Sequence, residues 1–219
     1  MTLVKICGIT TIEDARACTA AGADMLGFNF FPASKRYISA ESARRIIEQL
    51  PSSITCIGVF VNESSPERVS QLAEEAGVSV VQLHGDEPPE YCRALSDYPV
   101  FKALRVTPTF VAKQAVACGA DTVLLDAFQT DAYGGTGHTF DWSMALAVRS
   151  LVPKLILAGG LTPGNVAAAI DQVRPFAVDA CSSLERASGL KDAKLVQAFV
   201  AAAKNTGVSR DDRLAVMKE

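Results

Sequence analysis

The chain has 219 residues, of which 49% are apolar, and its formal net charge is −3 at pH 7. This length suits one domain with a large buried core, and the apolar fraction excludes a disordered chain. A slightly acidic chain offers nucleic acid no electrostatic attraction, so we expect no nucleic-acid partner. We also expect no membrane association, because no apolar run reaches the ~18 residues of a membrane span.

The six cysteines are typical of a reducing compartment. They form no Cys-x-x-Cys pair, and neither histidine completes a metal-like spacing with them. Disulfide frameworks belong to short secreted chains, so the thiols are predicted to be reduced. The chain start also lacks the apolar segment of a signal peptide, which predicts a cytoplasmic protein. Without a cluster of His, Asp and Glu, we predict no metal site.

Eight short apolar runs alternate with segments of helical period. The predicted strands are Leu3–Gly8, Met25–Phe30, Thr55–Val61, Val80–Gly85, Val100–Val106, Thr122–Ala127, Leu155–Gly160 and Phe176–Ser182. Strict alternation favours parallel strands with right-handed crossovers. Eight such units predict a single (β/α)8 TIM barrel, with a doubly wound open sheet as the alternative. We assign the barrel to residues 1–204 and a polar C-terminal tail to residues 205–219.

A phosphate-binding turn is indicated by the sequence LILAGGLTPGN, in which an apolar strand leads into two glycines. Gly159 and Gly160 lack a Cβ, so their backbone N–H groups can approach an anion. Thr162 and Pro163 are typical of a helix cap and a first helical residue. The following strand ends in small hydroxyl-bearing residues that would complete the site. Phosphate sites of eight-stranded barrels commonly lie after strands 7 and 8.

Two side chains at predicted strand ends are candidates for proton transfer. The period of two puts Lys5 and Cys7 on the interior face of strand 1, with Cys7 at the rim. A thiolate there could act as a base or nucleophile, and the alternative is a buried apolar thiol. Asp126 ends strand 6, where partial desolvation favours the protonated form that a general acid needs. Its alternative roles are to cap the next turn or to pair with an arginine.

Three further candidates lie at strand ends and in the loops that follow them. Arg36 could bind a carboxylate through two hydrogen bonds, although an arginine on a loop can also be solvated. His84 ends strand 4 and is either a structural histidine or a substrate contact. Gly137 belongs to a glycine-rich loop, residues 128–139, whose glycines would permit lid motion or close contact with a ligand. The alternative for this loop is a mobile surface segment.

Eight short motifs follow one another along the chain. They are KICGIT at Lys5–Thr10, FPASKRYIS at Phe31–Ser39, GVFVN at Gly58–Asn62, QLHGDE at Gln82–Glu87, LLDA at Leu124–Ala127, GGTGHTFDW at Gly134–Trp142, LAGGL at Leu157–Leu161 and Gly189-x-Lys191-Asp192. In this order they resemble the phosphoribosylanthranilate isomerase family of tryptophan biosynthesis. The resemblance extends to about Lys204, and the ordered set of motifs is specific where each motif alone is weak.

The resemblance implies a (β/α)8 barrel that works without a metal or an organic cofactor. The implied reaction is the Amadori rearrangement of N-(5-phosphoribosyl)anthranilate to 1-(2-carboxyphenylamino)-1-deoxyribulose 5-phosphate. By resemblance, Asp126 protonates the furanose ring oxygen and Cys7 removes the C2′ proton. Arg36 is expected to hold the anthranilate carboxylate.

The predicted substrate-binding set combines residues that the resemblance implies with His84 and Gly137, which are predicted from their positions at a strand end and in the glycine-rich loop. Its members are Arg36, His84, Gly137, Gly159, Gly160, Asp179 and Ser182. The chain departs from the family pattern after strand 8, where Cys181 replaces a serine and Ser183 replaces a glycine. We therefore predict weaker phosphate binding than in relatives. The expected partner is a small phosphoribosyl substrate, and the expected assembly is a monomer or a homodimer.

Three other functions compete with this interpretation. A related histidine-pathway isomerase would be expected to carry an aspartate where Cys7 stands. A ribulose-phosphate epimerase would need metal ligands that the sequence does not offer. A non-catalytic sensor of phosphorylated ligands would not require Cys7 and Asp126 together.

Overall fold

The computed structural model describes residues 1–126 and 142–206, and its eight parallel strands close into a barrel in chain order. The strands are β1 Leu3–Cys7, β2 Met25–Asn29, β3 Thr55–Phe60, β4 Val80–Leu83, β5 Val100–Arg105, β6 Thr122–Asp126, β7 Lys154–Ala158 and β8 Ala177–Ala180. Because β8 pairs with β1, the predicted (β/α)8 barrel is confirmed and the open sheet is excluded.

Helices follow the strands around the outside of the barrel. They are α1 Ile12–Ala20, α2 Ala40–Ile47, α3 Pro66–Ala76, α4 Pro89–Ala94, α5 Gln114–Ala117, α6 Ser143–Arg149, α7 Val166–Val173 and α8 Ala193–Lys204. A small antiparallel pair, β9 Glu185–Ala187 and β10 Leu190–Lys191, lies between β8 and α8. None of the helices in the described ranges is long and apolar enough to cross a membrane.

The strand predictions are correct in position and too long at their C-terminal ends. Glycines account for two of these ends, since Gly8 has φ +78° and Gly159 has φ +85°, in the left-handed region that ends an extended strand. β7 also begins one residue earlier than predicted, at Lys154. The residues trimmed from the strands form the loops at the barrel mouth, which is where the candidate site lies.

The predicted start of α7 is wrong. The helix begins at Val166, with Asn165 before it, rather than at Pro163. The Asn165 side chain accepts a hydrogen bond from the Thr162 N–H at 2.8 Å and donates to the Gly160 carbonyl at 3.1 Å. These two bonds close a turn ahead of the regular helix, which the cap-like residue order alone does not indicate.

The apolar side chains form two layers. One fills the barrel interior, and its buried members include Met25, Ile57, Leu124 and Ile156. The other lies between the strands and the helices. Strands buried on both faces explain why their sequences are nearly continuous apolar runs. The domain boundary stays a prediction, because α8 ends at Lys204 and residues 207–219 lie outside the described ranges.

Candidate active site

A cavity of about 330 Å³ opens at the C-terminal ends of the strands. The predicted site residues that line it are Cys7, Arg36, His84, Asp126, Gly159, Gly160, Asp179 and Ser182. The remaining one, Gly137, and the proposed lid at residues 128–139 lie outside the described residues. The barrel therefore brings together eight side chains or backbone positions that the sequence spreads over 176 residues.

A buried ion pair supports the β1 side of the cavity. Lys5 is fully buried and its Nζ lies 2.9 Å from Asp179 Oδ2 on β8, its register partner. Burial lowers the pKa of Lys5, but the charges of Asp179 and Cys7 outweigh it and raise the pKa above its usual value. Burial raises the pKa of Asp179 to about 7 despite Lys5. The second oxygen, Oδ1, is buried without a partner among the described residues.

The surroundings of Cys7 favour the thiolate form of its side chain. A hydrogen bond from Cys181 is the largest influence and lowers the pKa of Cys7 well below its usual range, against the opposing effect of burial. The nearby ammonium groups of Lys5 and Lys191 lower it further. The same hydrogen bond, together with burial, raises the pKa of Cys181. Because a thiolate is the basic form, the sequence-based alternative of an inert apolar thiol is disfavoured.

Arg36 makes a two-point ion pair that the sequence did not reveal. Its Nε and Nη2 donate to the two carboxylate oxygens of Glu185, each at 2.7 Å. Lys191 Nζ also donates to Glu185 at 3.1 Å. Burial raises the pKa of Glu185, but Arg36 and Lys191 outweigh it and hold it below its usual range. Glu185 therefore occupies one edge of Arg36. Among the described residues the edge formed by Nη1 and Nη2 has no partner, which leaves it for a ligand carboxylate.

The β4 and β6 side of the cavity is more open. Asp126 has 35% of its side chain exposed, and its Oδ2 lies 3.6 Å from His84 Nε2, beyond a direct hydrogen bond. The amide nitrogen of Gln82 lies 2.9 Å from His84 Nδ1. With that nitrogen as donor, neutral His84 carries its proton on Nε2, the nitrogen that faces Asp126.

Two turns line the cavity between these sides, and together they are the candidate anion-binding cup. Gly159 and Gly160 both have positive φ values, +85° and +64°. Ser182 begins a single 3₁₀ turn, Ser182–Leu184. The Ser183 hydroxyl donates to the Leu161 carbonyl at 2.5 Å and ties the two turns together. The resemblance implies a glycine at position 183 and gives no indication that a serine there would bond to the Leu161 carbonyl.

Strand order places this cup between the two candidate catalytic groups. Around the barrel, β7 and β8 separate Asp126 at the end of β6 from Cys7 at the end of β1. A ligand whose phosphate lies in the candidate cup would therefore have Asp126 on one side and Cys7 on the other. In the described ranges, no group of three His, Cys, Asp or Glu side chains is arranged to hold a metal ion.

A closed (β/α)8 barrel whose C-terminal rim gathers a carboxyl group, a thiol and two turns with glycine and serine has the arrangement typical of barrel enzymes. Residues 4–202 match the family model described as N-(5'phosphoribosyl)anthranilate (PRA) isomerase. The chain belongs to this family.

Individual relatives agree over almost the whole length. The N-(5'-phosphoribosyl)anthranilate isomerase of Trichlorobacter lovleyi is 47% identical over 93% of this chain and 98% of its own. The crystal structure of phosphoribosyl anthranilate isomerase from Thermotoga maritima has 46% identity and a TM-score of 0.85, covering 93% of this chain and 99% of that one. A further isomerase structure, in complex with reduced 1-(o-carboxyphenylamino)-1-deoxyribulose 5-phosphate, has 44% identity, the same two coverages and a TM-score of 0.83.

Proposed function

We propose that this chain isomerises N-(5-phosphoribosyl)anthranilate to 1-(2-carboxyphenylamino)-1-deoxyribulose 5-phosphate in tryptophan biosynthesis. The observation that carries the proposal is that Cys7 and Asp126 line one cavity with an anion cup between them. The reaction needs an acid for ring opening and a base for carbon deprotonation. The family membership and the relative solved with a phosphorylated ligand support this substrate.

Asp126 is the proposed general acid. In its protonated form it would donate to the furanose ring oxygen, and the ring would open to a protonated Schiff base. His84 Nε2, 3.6 Å away, would help to orient the Asp126 carboxyl. The exposure of Asp126 allows it to exchange protons with solvent after each turnover.

Cys7 is the proposed general base. Its thiolate would remove the C2′ proton of the Schiff base, and the electron pair would move to the nitrogen and give an enolamine. Tautomerisation of the enolamine then gives the ketone product. Lys5 supports this step because its ammonium group lies behind the thiolate and keeps its charge when buried.

The remaining residues hold the two ends of the substrate. Gly159, Gly160 and Ser182 would bind the phosphate through backbone N–H groups and a hydroxyl. The unoccupied Nη1–Nη2 edge of Arg36 would bind the anthranilate carboxylate, while Glu185 fixes the guanidinium from the other edge. Asp179 Oδ1, buried and unpartnered among the described residues, would accept a hydrogen bond from a ribose hydroxyl.

The scheme consists of two proton transfers between the substrate and a side chain, followed by tautomerisation of the enolamine. We therefore propose an aldose–ketose isomerase that needs neither a metal nor an organic cofactor. A cytoplasmic location and a monomeric or homodimeric state complete the proposal. Sedimentation of the purified protein would distinguish the two assemblies.

The test is the loss of phosphoribosylanthranilate fluorescence on incubation with purified protein. We expect turnover by the wild type and a decrease of roughly 10²- to 10⁴-fold in both Cys7→Ala and Asp126→Asn. Cys92→Ala and Asp121→Asn are matched controls, because Cys92 is buried in α4 and Asp121 precedes β6 at the opposite end of the barrel. A folded wild type without turnover would contradict the proposal.

A further inference from the structure

Two cysteines lie side by side in the cavity. The β1–β8 register pairs Lys5 with Asp179 and Ile6 with Ala180, so its continuation brings Cys7 opposite Cys181. The two thiols interact, because each shifts the pKa of the other, downward for Cys7 and upward for Cys181. Both are partly exposed and both line the cavity, so a small solute can reach them.

The backbone around the two sulfurs makes room for this pair. A Cβ at Gly8 would lie 3.0 Å from Cys181 Sγ, and one at Gly27 would lie 2.7 Å from Cys7 Sγ. Neighbouring strands are about 4.8 Å apart, which falls within the Cα separation of about 4.4–6.8 Å that a disulfide requires. Strand spacing at this point is therefore compatible with a disulfide between residues that follow the last paired positions of β1 and β8.

We propose that Cys7 and Cys181 are a peroxide-sensitive site that closes to an intramolecular disulfide and thereby removes the base of the isomerase. Cys7 is the attacking thiol and Cys181 the resolving thiol. The oxidant is hydrogen peroxide or an organic hydroperoxide of small size.

The chemistry balances in two steps. With hydrogen peroxide, the Cys7 thiolate attacks one peroxide oxygen, the O–O bond breaks, and the products are Cys7 sulfenic acid and hydroxide, which takes up a proton to become water. With an organic hydroperoxide the leaving group is an alkoxide, which takes up a proton to become an alcohol in place of this first water. The Cys181 sulfur then attacks the Cys7 sulfur, the S–O bond breaks, and the Cys181 proton leaves with the hydroxyl group as a second water. Two thiols are oxidised to one disulfide while one peroxide is reduced.

Positive charge lies near both sulfurs. Lys5 stabilises the attacking thiolate, and Lys191 Nζ, 3.7 Å from Cys181 Sγ, opposes the rise in the pKa of Cys181 that the Cys7 thiolate and burial cause. Reaction of a thiol requires thiolate character and access. The other four cysteines, Cys18, Cys56, Cys92 and Cys118, are buried. Oxidation is therefore directed to the pair in the cavity.

The consequence is reversible inhibition that depends on Cys181. A serine at this position, which resembles the family pattern, would leave the Cys7 sulfenic acid without a resolving thiol. Further oxidation would then reach the sulfinic acid, which thiol reductants do not reverse. Cys181 thus protects the proposed base from permanent loss.

The test treats the reduced full-length protein with hydrogen peroxide and records its intact mass and activity. The wild type should lose the mass of two hydrogen atoms, lose activity, and regain both with dithiothreitol. Proteolysis without reductant should give one linked fragment that contains Cys7 and Cys181. The mass change is read without substrate, so its failure is distinct from failure of the proposed isomerase activity.

Two variants provide the controls. Cys181→Ser, compared with its own starting activity, should gain the mass of two oxygen atoms and recover little with dithiothreitol. Cys92→Ser removes a buried thiol and should behave like the wild type. The proposal is overturned if the wild type gains oxygen without losing hydrogen, or if Cys181→Ser recovers as fully as the wild type.

Discussion

The two sides of the cavity are built differently. On the β1–β8 side, Cys7 stands among buried, paired charges: Lys5 is fully buried and bonded to Asp179, and Cys181 and Lys191 lie close by. On the β4–β6 side, Asp126 is 35% exposed, and its contact with His84 spans 3.6 Å. The proposed base is therefore surrounded by buried charges, while the side chain of the proposed acid is more exposed.

This difference follows from the two tasks. A thiol must be ionised before substrate arrives, and fixed positive charge in a site of low dielectric achieves that. A carboxyl that must be reprotonated in every cycle needs contact with water. Changes on the β1–β8 side should accordingly alter the ionisation of Cys7.

The largest effect is expected from Lys5→Met. It leaves Asp179 buried without its partner, which should lower the free energy of unfolding by about 3–5 kcal/mol at neutral pH. It should also raise the pKa of Cys7, because one of the cations near the thiol is lost. Urea unfolding gives the first quantity, and the pH dependence of Cys7 alkylation gives the second.

Lys102→Met separates these two effects. Lys102 and Glu87 form another buried ion pair, at 2.8 Å, between β5 and the segment after β4. Its loss should destabilise the fold by a similar amount and leave the Cys7 titration unchanged. An equal shift of the Cys7 titration in both variants would contradict a specific role for Lys5.

A smaller effect is expected from Cys181→Ala. The thiolate is the active form of the base, so activity falls as the pH drops through the pKa of Cys7. The hydrogen bond from Cys181 lowers that pKa, so its removal should move the acidic limb of kcat/KM to higher pH. Cys181→Ser retains a donor and should keep the limb near its wild-type position. If the acidic limb of kcat/KM lies at the same pH in Cys181→Ala and in the wild type, this hydrogen bond has no role in lowering the pKa of Cys7.

The smallest effect concerns the phosphate cup. Restoring the family pattern with Cys181→Ser and Ser183→Gly together should lower KM by about threefold to tenfold, the equivalent of one hydrogen bond. Ser183→Gly alone also removes the bond to the Leu161 carbonyl, so it should give less of this gain. Steady-state kinetics measure both variants, and an unchanged KM in the double variant would contradict the predicted weakening.

The sequence predicts the barrel because its signals are local. Alternating apolar runs and helical segments specify eight units, and the period of two places Cys7 on the interior face at the rim. Asp126 is found at a rim position for the same reason, at the end of its strand. The start of α7 was not predicted correctly from the sequence, because the Asn165 side chain delays it through hydrogen bonds that residue types alone do not specify.

The contacts that adjust the site are not local, and sequence spacing does not reveal them. Arg36 pairs with Glu185, 149 residues away, so its occupied edge becomes visible only in three dimensions. Cys7 meets Cys181 only because β8 closes the barrel onto β1. The sequence presented Ser183 only as a replacement of glycine that weakens phosphate binding, and the bond from its hydroxyl to the Leu161 carbonyl, which joins two turns, is visible only in the structure.

The most direct test of the central contrast is the rate of Cys7 alkylation by iodoacetamide as a function of pH, followed by mass spectrometry of the Cys7 peptide. The alkylation rate of the wild type should show an inflection at a pH well below about 8.5, the pKa of an ordinary thiol. The pH of this inflection should rise in both Lys5→Met and Cys181→Ala. An inflection at or above the ordinary value in the wild type would contradict the claim that the β1–β8 side is built to ionise the base.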